Sequence, residues 1–234
     1  MKKTTLNKDD ELNLYLHTIV HELRNPLVSL QGYTKLLSEK LRALLNDDDA
    51  GYWDRILTSL DRLDELLADI SKLAKVSVNE KDFKWIETRD IVASASELVG
   101  VIDGLSRVTL IVQPGLPKIY GDPQSLLQVF TNLISNACKY SHPNRDTHIE
   151  VGYLAGELFH KFYVKDNGLG IRLKDRDKVF RPFCRLEDRK NVGGSGLGLT
   201  IVKRIVEGHG GEIWLDSRLN QGVTVYFTLP EQLN

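Results

Sequence analysis

The stretch HTIVHELRNPLVSL, residues 17–30, contains two histidines, His17 and His21, in a segment whose apolar residues recur at steps of three and four. That period predicts an amphipathic α-helix. Pro26 lacks a backbone N–H and crowds the carbonyl four residues back, which belongs to Glu22. We therefore expect a bend just after His21, and we expect its imidazole to lie off the apolar line and project from the helix.

The same periodicity extends outward over residues 1–79 and predicts a hairpin of two helices joined at NDDDAG (46–51). The second helix follows a heptad pattern, which favours packing against a neighbouring helix. The predicted apolar lines are Leu12, Leu16, Ile19, Leu23, Leu27, Leu30, Leu37, Leu41 and Leu44 in the first helix, and Trp53, Ile56, Leu60, Leu63, Leu67, Ile70 and Ala74 in the second.

Two helices that pack on each other leave other apolar positions uncovered, among them Leu36, Leu57 and Leu66. A second copy of the hairpin would bury them in a four-helix bundle built from two chains. The alternative is that the hairpin packs on the rest of its own chain. We favour the homodimer.

The composition argues against several classes of protein. Lysine and arginine number 31 and aspartate and glutamate 32, so the net charge of −1 argues against a nucleic-acid partner. No stretch approaches the roughly 18 consecutive apolar residues of a membrane span, and no signal peptide is recognisable. Cys138 and Cys184 have neither metal-ligand spacing nor a disulfide framework. We expect a soluble chain in a reducing compartment, with no direct membrane insertion.

Residues 80–234 have a different pattern of apolar residues. The polar segment SVNEKDFKWIETRD (77–90), where the pattern changes, is interpreted as a domain boundary. The segments predicted as helices are DIVASASELVGVIDG and DPQSLLQVFTNLISNACKYS. The segments predicted as strands are RVTLIVQ, HIEVGYLAGELFHKFYVKD (with a turn at its central glycine), GEIWLDS and GVTVYFTLP. This half is therefore predicted to be an α+β domain, with a mixed sheet covered by helices on one face.

Asn132, Asn136 and Lys139 fall at i, i+4 and i+7 of the predicted helix in NLISNACKYS (132–141), so they share one polar face. Amide oxygens suit Mg²⁺, which takes its other ligands from phosphates and water, and a lysine suits the phosphates themselves. The alternative is that this face is simply solvated.

An acid follows a predicted strand and precedes a glycine-rich turn in KDNGLGI (165–171). The carboxylate of Asp166 could accept a hydrogen bond from an amine, while Gly168 and Gly170 would let the backbone approach a ligand. Taken alone, the segment also fits an ordinary turn.

A glycine-rich loop runs into an amphipathic helix in NVGGSGLGLTIVKRIVEGHGG (191–211), and backbone N–H groups at such a helix start can bind anions. The loop lacks the Gly-Lys-Ser/Thr of a P-loop. Polar residues, CRLEDRKN, precede it instead of the strand that a dinucleotide-binding fingerprint requires. Together, the three segments in this order indicate a site for ATP and Mg²⁺.

The segments HELRNPL, NLISNACKYS, DNGLGI, VFRPFCRL and GGSGLGL resemble, in that order, the H, N, G1, F and G2 boxes of two-component sensor histidine kinases. The resemblance implies a dimerisation and phosphotransfer hairpin (1–79), followed by a Bergerat-type GHKL ATP-binding α+β sandwich (80–234). It implies a protein-histidine kinase that phosphorylates itself and then an aspartate of a response regulator. The implied location is cytoplasmic, either as a separate chain or as the cytosolic part of a larger or membrane-bound sensor.

The resemblance also implies a role for each matching residue. His21 would accept the phosphoryl group, Glu22 would act as its base, and Asn25 would orient water for dephosphorylation of the regulator. The implied nucleotide-site residues are Asn136 for Mg²⁺, Asn132 and Lys139 near the phosphates, Tyr140 against the nucleotide, Asp166 on the adenine amine, Gly168 and Gly170 shaping the pocket, and Arg185 at the γ-phosphate. Gly194, Gly196 and Gly198 would form the hinge of a lid over the phosphates, and Ser195 and Leu197 of the same loop would also bind the nucleotide.

The sequence departs from the family at three positions, none of which removes a reactive group: Val20, Asn25 and Val223. Related hydrolases carry a glutamate where this chain has Asn132, and an amide is no base, so transfer to an external nucleophile is favoured over hydrolysis. The ordinary pKa of histidine, about 6.5, leaves a neutral imidazole to attack near pH 7. The alternative is a pseudokinase that serves as a dimeric nucleotide-binding scaffold.

Overall fold

The computed structural model describes residues 8–41, 45–75, 82–101, 107–156, 159–186 and 194–231. Its first part is a hairpin of two helices, α1 (Lys8–Leu41) and α2 (Asp47–Lys75). The side-chain oxygen of Asn46 accepts a hydrogen bond from the N–H of Asp49 at 2.8 Å, as a residue before a helix start commonly does. The predicted helical hairpin is confirmed.

The hairpin buries a seam that differs from the predicted apolar line of α1. Val20 and Leu27 pack in one cluster with Leu60 and Leu67 of α2. Adjacent helix positions point about 100° apart, so two neighbouring apolar lines of α1 cannot both face α2. The prediction that the apolar line of α1 packs on α2 is wrong for three of its residues, which are 53, 51 and 52% exposed: Ile19, Leu23 and Leu30.

The helix α1 continues without interruption through Pro26. Beside the proline, the hydroxyl of Ser29 donates to the carbonyl oxygen of Asn25 at 3.2 Å. The bend expected after His21 stays a prediction, and Leu44 of the predicted apolar line lies outside the described residues. Within the described ranges, none of the helices has a segment long and apolar enough to span a bilayer.

The remaining described residues form an α/β domain. Its elements are β1 (Lys84–Glu87), α3 (Thr88–Val99), β2 (Val108–Val112), β3 (Lys118–Gly121), α4 (Pro123–Lys139), β4 (Thr147–Leu154), β5 (Phe159–Asp166), α5 (Gly198–Gly208), β6 (Ile213–Arg218) and β7 (Gly222–Pro230). Five strands form a mixed sheet in the order β2-β4-β5-β7-β6, in which β2 and β4 are parallel and the other neighbours antiparallel. Its inner face carries the fully buried Phe162 and Phe227, and the ring of Phe227 contacts both Phe162 and Phe130 of α4. The predicted helix-covered mixed sheet is confirmed.

Two strands, β1 and β3, were missing from the sequence prediction. The polar segment 77–90 contains β1, which pairs antiparallel with β3 in a separate two-stranded sheet. The rings of Trp85 and Tyr120 lie opposite each other with centroids 5.4 Å apart, and this cross-strand contact stabilises the pair. Charged residues flank the short strand β1, so its alternation of polar and apolar residues could not be recognised in the sequence. The expected junction at residues 79 and 80 lies outside the described residues and stays a prediction.

A buried histidine, His209, connects the start of helix α4 to the end of helix α5. Nε2 of His209, at the end of α5, accepts a hydrogen bond from the N–H of Asp122 at 3.1 Å. Nδ1 lies 2.8 Å from the carbonyl oxygen of Ile205, so the proton resides on Nδ1. The ring also stacks on Phe83, with the ring centroids 4.7 Å apart.

Asp122, which His209 contacts, caps α4: its carboxylate accepts hydrogen bonds from the N–H groups of Gln124 and Ser125 at 3.2 Å each. Neutral His209 therefore holds the start of α4 against the end of α5.

We expect the free energy of unfolding to fall as pH decreases below about 6.5, the ordinary pKa of histidine. Burial lowers the pKa of His209, although the hydrogen bond to Ile205 and the charge of Asp122 oppose the shift. The unfolded chain therefore binds a proton that the folded chain excludes, and stability present above the unfolded pKa is lost on acidification. Urea unfolding at about pH 7.5 and 5.5 measures the decrease. His209→Gln should reduce the decrease, whereas His148→Gln, at an exposed histidine, should not. An equal decrease in both variants would contradict this explanation.

Candidate functional site

The hairpin presents His21 on its surface, with 67% of the side chain exposed, as its sequence position predicts. A carboxylate oxygen of Glu22 lies 3.8 Å from Nδ1 of the imidazole. The side chain of Asn25 is also exposed and stands at i+4 from His21, on the same helix face. Nothing is described for the side chain of His17. The hairpin therefore offers an accessible imidazole with a carboxylate beside one of its two nitrogens.

The α/β domain contains a cleft of about 870 Å³ of empty space, part of it open to solvent. Its wall is mainly apolar and includes a small number of polar groups. The lining residues are Leu133, Asn136, Ala137, Tyr140, Val164, Asp166, Ile171, Val179, Cys184, Arg185, Leu186, Gly196, Gly198, Leu199, Leu215, Val223 and Val225. An apolar wall with few polar groups suits a flat heterocycle whose edge is read by hydrogen bonds.

Asp166, at the end of β5, is held by two backbone groups. Its Oδ1 accepts hydrogen bonds from the N–H of Gly168 at 2.8 Å and from the N–H of Val223 at 3.2 Å. These two donors belong to different segments, the turn after β5 and the start of β7. The carboxylate is therefore fixed in direction at the wall of the cleft.

Glycines allow the backbone to pass close behind this carboxylate. A Cβ on Gly168 would lie 2.4 Å from the carbonyl oxygen of Tyr140, which also accepts a hydrogen bond from the N–H of Leu169 at 3.0 Å. A Cβ on Gly170, whose φ is +66°, would lie 1.9 Å from the carbonyl oxygen of Arg218. A side chain at either position would displace neighbouring backbone, so both glycines shape the cleft from behind.

The polar face predicted on α4 meets the start of α5. The amide nitrogen of Asn132 donates to the carbonyl oxygen of Gly198 at 3.4 Å. A Cβ on Gly198 would lie 3.8 Å from the amide nitrogen of Asn136, so this asparagine also stands beside the helix start. Unpaired N–H groups and the helix dipole make a helix N-terminus attractive to anions. Two amides from the N box and the start of α5 are thus adjacent at one end of the cleft.

The other predicted nucleotide-site residues differ in whether they line the cleft. Tyr140 follows the last turn of α4 and lines the cleft, as does Arg185, whereas Lys139 is exposed. Gly194 and Gly196 have positive φ angles, +126° and +77°, and Ser195 lies between them. Leu197 has no exposed surface and is not among the cleft residues that the structure describes. Residues 191–193, which begin the predicted glycine-rich loop, lie outside the described residues.

The two cysteines differ in their relation to the cleft. Cys184 lines it, whereas Cys138 is partly buried inside α4. Burial, together with the negative charge of Asp166, raises the pKa of the Cys138 thiol. Cys138 therefore stays protonated at neutral pH and behaves as a small packing residue.

Sequence reasoning missed the apolar wall of the cleft. Leu133 and Ala137 lie on α4 at positions next to Asn136 in space, so the helical period could have revealed them. Val223 and Val225 line the cleft from alternate positions of β7, a signal that the strand pattern also contains. Cys184 and Leu186 follow no periodic element and could not have been found this way.

Two families match successive parts of the chain. Residues 11–77 match the family described as His Kinase A (phospho-acceptor) domain. Residues 121–233 match the family described as Histidine kinase-, DNA gyrase B-, and HSP90-like ATPase. The first match contains His21 and the second contains the residues of the cleft.

Individual relatives extend over nearly the whole chain. Cyanobacterial phytochrome B of Nostoc sp. is 34% identical over 231 residues, which cover 95% of this chain and 30% of that protein. The sensor histidine kinase WalK of Bacillus subtilis is 32% identical over 231 residues, covering 95% of this chain and 37% of WalK. The crystal structure of full-length ShkA in complex with AMPPNP is similar with a TM-score of 0.66 and 25% identity, over 92% of this chain and 45% of that one. The chain spans about a third of the length of these two curated relatives.

Proposed function

The chain belongs to the two-component sensor histidine kinases, and we propose that it uses ATP to phosphorylate His21 and then transfers the phosphoryl group to an aspartate of a response regulator. The observation that carries this proposal is the exposed imidazole of His21 with the Glu22 carboxylate 3.8 Å from its Nδ1. The cleft of the α/β domain, with a fixed carboxylate on an apolar wall, supports ATP as the donor.

We propose different roles for the two imidazole nitrogens of His21, because the Glu22 carboxylate lies beside only one of them. A carboxylate beside Nδ1 favours a proton on that nitrogen, which leaves the lone pair on Nε2 free to attack. In the transfer, the Nε2–phosphorus bond forms and the bond from phosphorus to the bridging oxygen of ADP breaks, so ADP leaves. Glu22 would accept the Nδ1 proton from the cationic ring, and the product is a phosphohistidine with a neutral imidazole ring and an anionic phosphoryl group.

We propose that the cleft binds ATP by reading its base and positioning its phosphates. Asp166, fixed by the N–H groups of Gly168 and Val223, would accept a hydrogen bond from the adenine amine. The start of α5 and the amide of Asn132 would lie at the phosphates, and Tyr140 and Arg185 at the rim of the nucleotide. Because Asn132 carries an amide and no carboxylate, it cannot activate water, which favours transfer to His21.

Mg²⁺ is proposed at Asn136. The residue fits this ion, since one amide oxygen leaves most of the coordination sphere to phosphates and water, as Mg²⁺ prefers. When bound, the ion would neutralise phosphate charge during the transfer. Asn136 would hold it beside the start of α5.

We also propose a homodimer formed through the hairpin. Many apolar side chains of α1 and α2 are left exposed by the intrachain seam, and a second hairpin would cover them in a four-helix bundle. These side chains are Ile19, Leu23, Leu30, Leu36, Leu37, Ile56 and Leu63. The regulator would approach the hairpin where His21 is exposed.

Incubation with ATP labelled at its γ-phosphate, in the presence of Mg²⁺, tests the proposed activity. Phosphohistidine is labile in acid and stable in alkali, so the expected label disappears on acid treatment and survives base. A pseudokinase scaffold would bind ATP and remain unlabelled. An acid-stable label would overturn the proposal.

Asn25→Ala is expected to slow dephosphorylation of the phosphorylated regulator roughly tenfold or more, because positioning of an attacking water contributes at least that much. Asn25 lies at i+4 from His21 and is exposed, so it can orient water at the same helix face. The measurement is loss of label from purified phospho-regulator. Asn25→Thr is the matched control and should retain activity, because its hydroxyl can also orient water. Equal dephosphorylation rates for Asn25→Ala and the parent would exclude the proposed role.

A further inference from the structure

Arg145 lies in the connection between α4 and β4, outside every segment that the sequence marked as functional. Its Nη2 donates to the carbonyl oxygen of Gly168 at 2.8 Å and to the carbonyl oxygen of Asn220 at 2.8 Å. Gly168 belongs to the turn after β5, and Asn220 to the turn between β6 and β7. One guanidinium nitrogen thus joins two turns that are distant in sequence.

The same two segments hold the carboxylate of Asp166. Its Oδ1 accepts from the N–H of Gly168 in the first segment and from the N–H of Val223, just after the second turn. These donors converge on one oxygen only while the two segments keep their spacing. Arg145 bridges the carbonyl groups of these segments and therefore fixes that spacing.

The side chain of Arg145 is partly buried, and its surroundings restrict its position. Its Nε is buried and has no hydrogen-bond partner among the residues that the structure describes. An unpaired buried N–H is costly, so the position of this side chain is set by its other contacts. Those contacts are the two carbonyl groups. Gly168 itself lies at the edge of the cleft, where a Cβ on it would stand 2.4 Å from the carbonyl oxygen of Tyr140.

We propose that Arg145 is a positioning residue for base recognition: it fixes the direction of the Asp166 carboxylate and so sets the preference of the cleft for a 6-amino purine. This inference rests on the proposed function, in which Asp166 reads the adenine amine. Arg145 does not touch the nucleotide and acts through the two turns. Its loss should therefore affect the recognition of the amine more than the binding of the phosphates.

The test compares Mg²⁺-ATP with Mg²⁺-purine riboside triphosphate, which lacks the 6-amino group, by titration calorimetry on the full chain. In Arg145→Ala, the affinity for ATP should fall about tenfold, the scale of one hydrogen bond to a charged group, while the affinity for the amine-free analogue changes little. Arg145→Lys keeps a cationic donor and should recover part of the preference. Arg107→Ala is the matched control, since Arg107 pairs with exposed Asp146 of the same connection and contacts neither turn.

The outcomes separate this inference from the proposed function. Asp166→Asn should itself abolish the preference for ATP over the analogue, and a preserved preference would overturn both statements. If Asp166→Asn loses the preference but Arg145→Ala and Arg145→Lys keep it, the role of Arg145 alone is overturned. Equal weakening of both nucleotides in Arg145→Ala, with a lowered unfolding midpoint, would show a merely structural role and would also overturn it. If the alanine variant does not fold, Arg145→Lys decides the matter: a preference below that of the parent supports the role of Arg145, and a preference equal to that of the parent overturns it.

Discussion

His21→Ala is expected to abolish the acid-labile label completely, while ATP binding stays at the level of the parent protein. The variant lacks the only nitrogen that we propose to form the bond to phosphorus, and the remaining side-chain methyl cannot replace it. The residues of the cleft belong to the α/β domain and are unchanged, so nucleotide affinity has no reason to fall. The measurements are γ-phosphate labelling and calorimetric titration with ATP on the same preparation.

His148→Ala is the matched control for this experiment. His148 is an exposed histidine on β4, so its removal tests whether loss of any surface imidazole reduces the label. Full labelling of His148→Ala with none in His21→Ala is the expected pair of results. Remaining acid-labile label in His21→Ala would mean that another histidine accepts the phosphoryl group, and the assignment of His21 would fail.

The position of Glu22 supports our proposal that His21, among several histidines, is the acceptor. The His21 side chain is solvated, and a carboxylate oxygen lies 3.8 Å from Nδ1. By contrast, His209 is buried with both ring nitrogens hydrogen-bonded and with its pKa lowered, so it can neither reach a nucleotide nor exchange partners. The difference between the two imidazoles is one of exposure and hydrogen bonding.

The sequence predicted those parts of the fold that depend on local periodicity. The two hairpin helices, α4 and the long strands follow directly from apolar spacing, and the polar face of Asn132 and Asn136 was found in the same way. Periodicity could not decide between the lines through Ile19 and Val20, because α1 carries apolar residues on both. Val20 is buried within the chain, at 4% exposure, whereas Ile19, Leu23 and Leu30 stay exposed and are available to the partner hairpin that we propose.

The contacts that the sequence could not predict are nonlocal. Arg145 bonds to residues 23 and 75 positions away in sequence, and neither spacing leaves a periodic signal. The strand β1 has only four residues, flanked by charges, and its pairing with β3 depends on aromatic rings brought together by folding. The meeting of Asn132 with Gly198 joins positions 66 apart, and it could be inferred only from the resemblance of the two segments to parts of one site.

Asn136→Ala is expected to reduce autophosphorylation by about a hundredfold or more, because neutralisation of phosphate charge by a bound metal contributes several kcal/mol to such transfers. The amide stands beside the start of α5, with its nitrogen 3.8 Å from the place of a Cβ on Gly198, at the end of the cleft where we propose the phosphates. The measurement is the initial rate of γ-phosphate labelling as a function of Mg²⁺ concentration.

Two further variants decide whether the loss reflects metal binding or packing. Asn136→Asp keeps the shape and supplies carboxylate oxygens, so it should recover part of the rate at raised Mg²⁺ concentration, whereas Asn136→Leu fills the space and should not. Asn144→Ala, at an exposed asparagine of the connection after α4, should label as the parent does. If Asn136→Ala labelled at the parental rate with unchanged dependence on Mg²⁺, Asn136 would have no role in holding the metal. If Asn136→Leu recovered activity as well as Asn136→Asp, the side chain would act by packing, since leucine provides no oxygen for an ion.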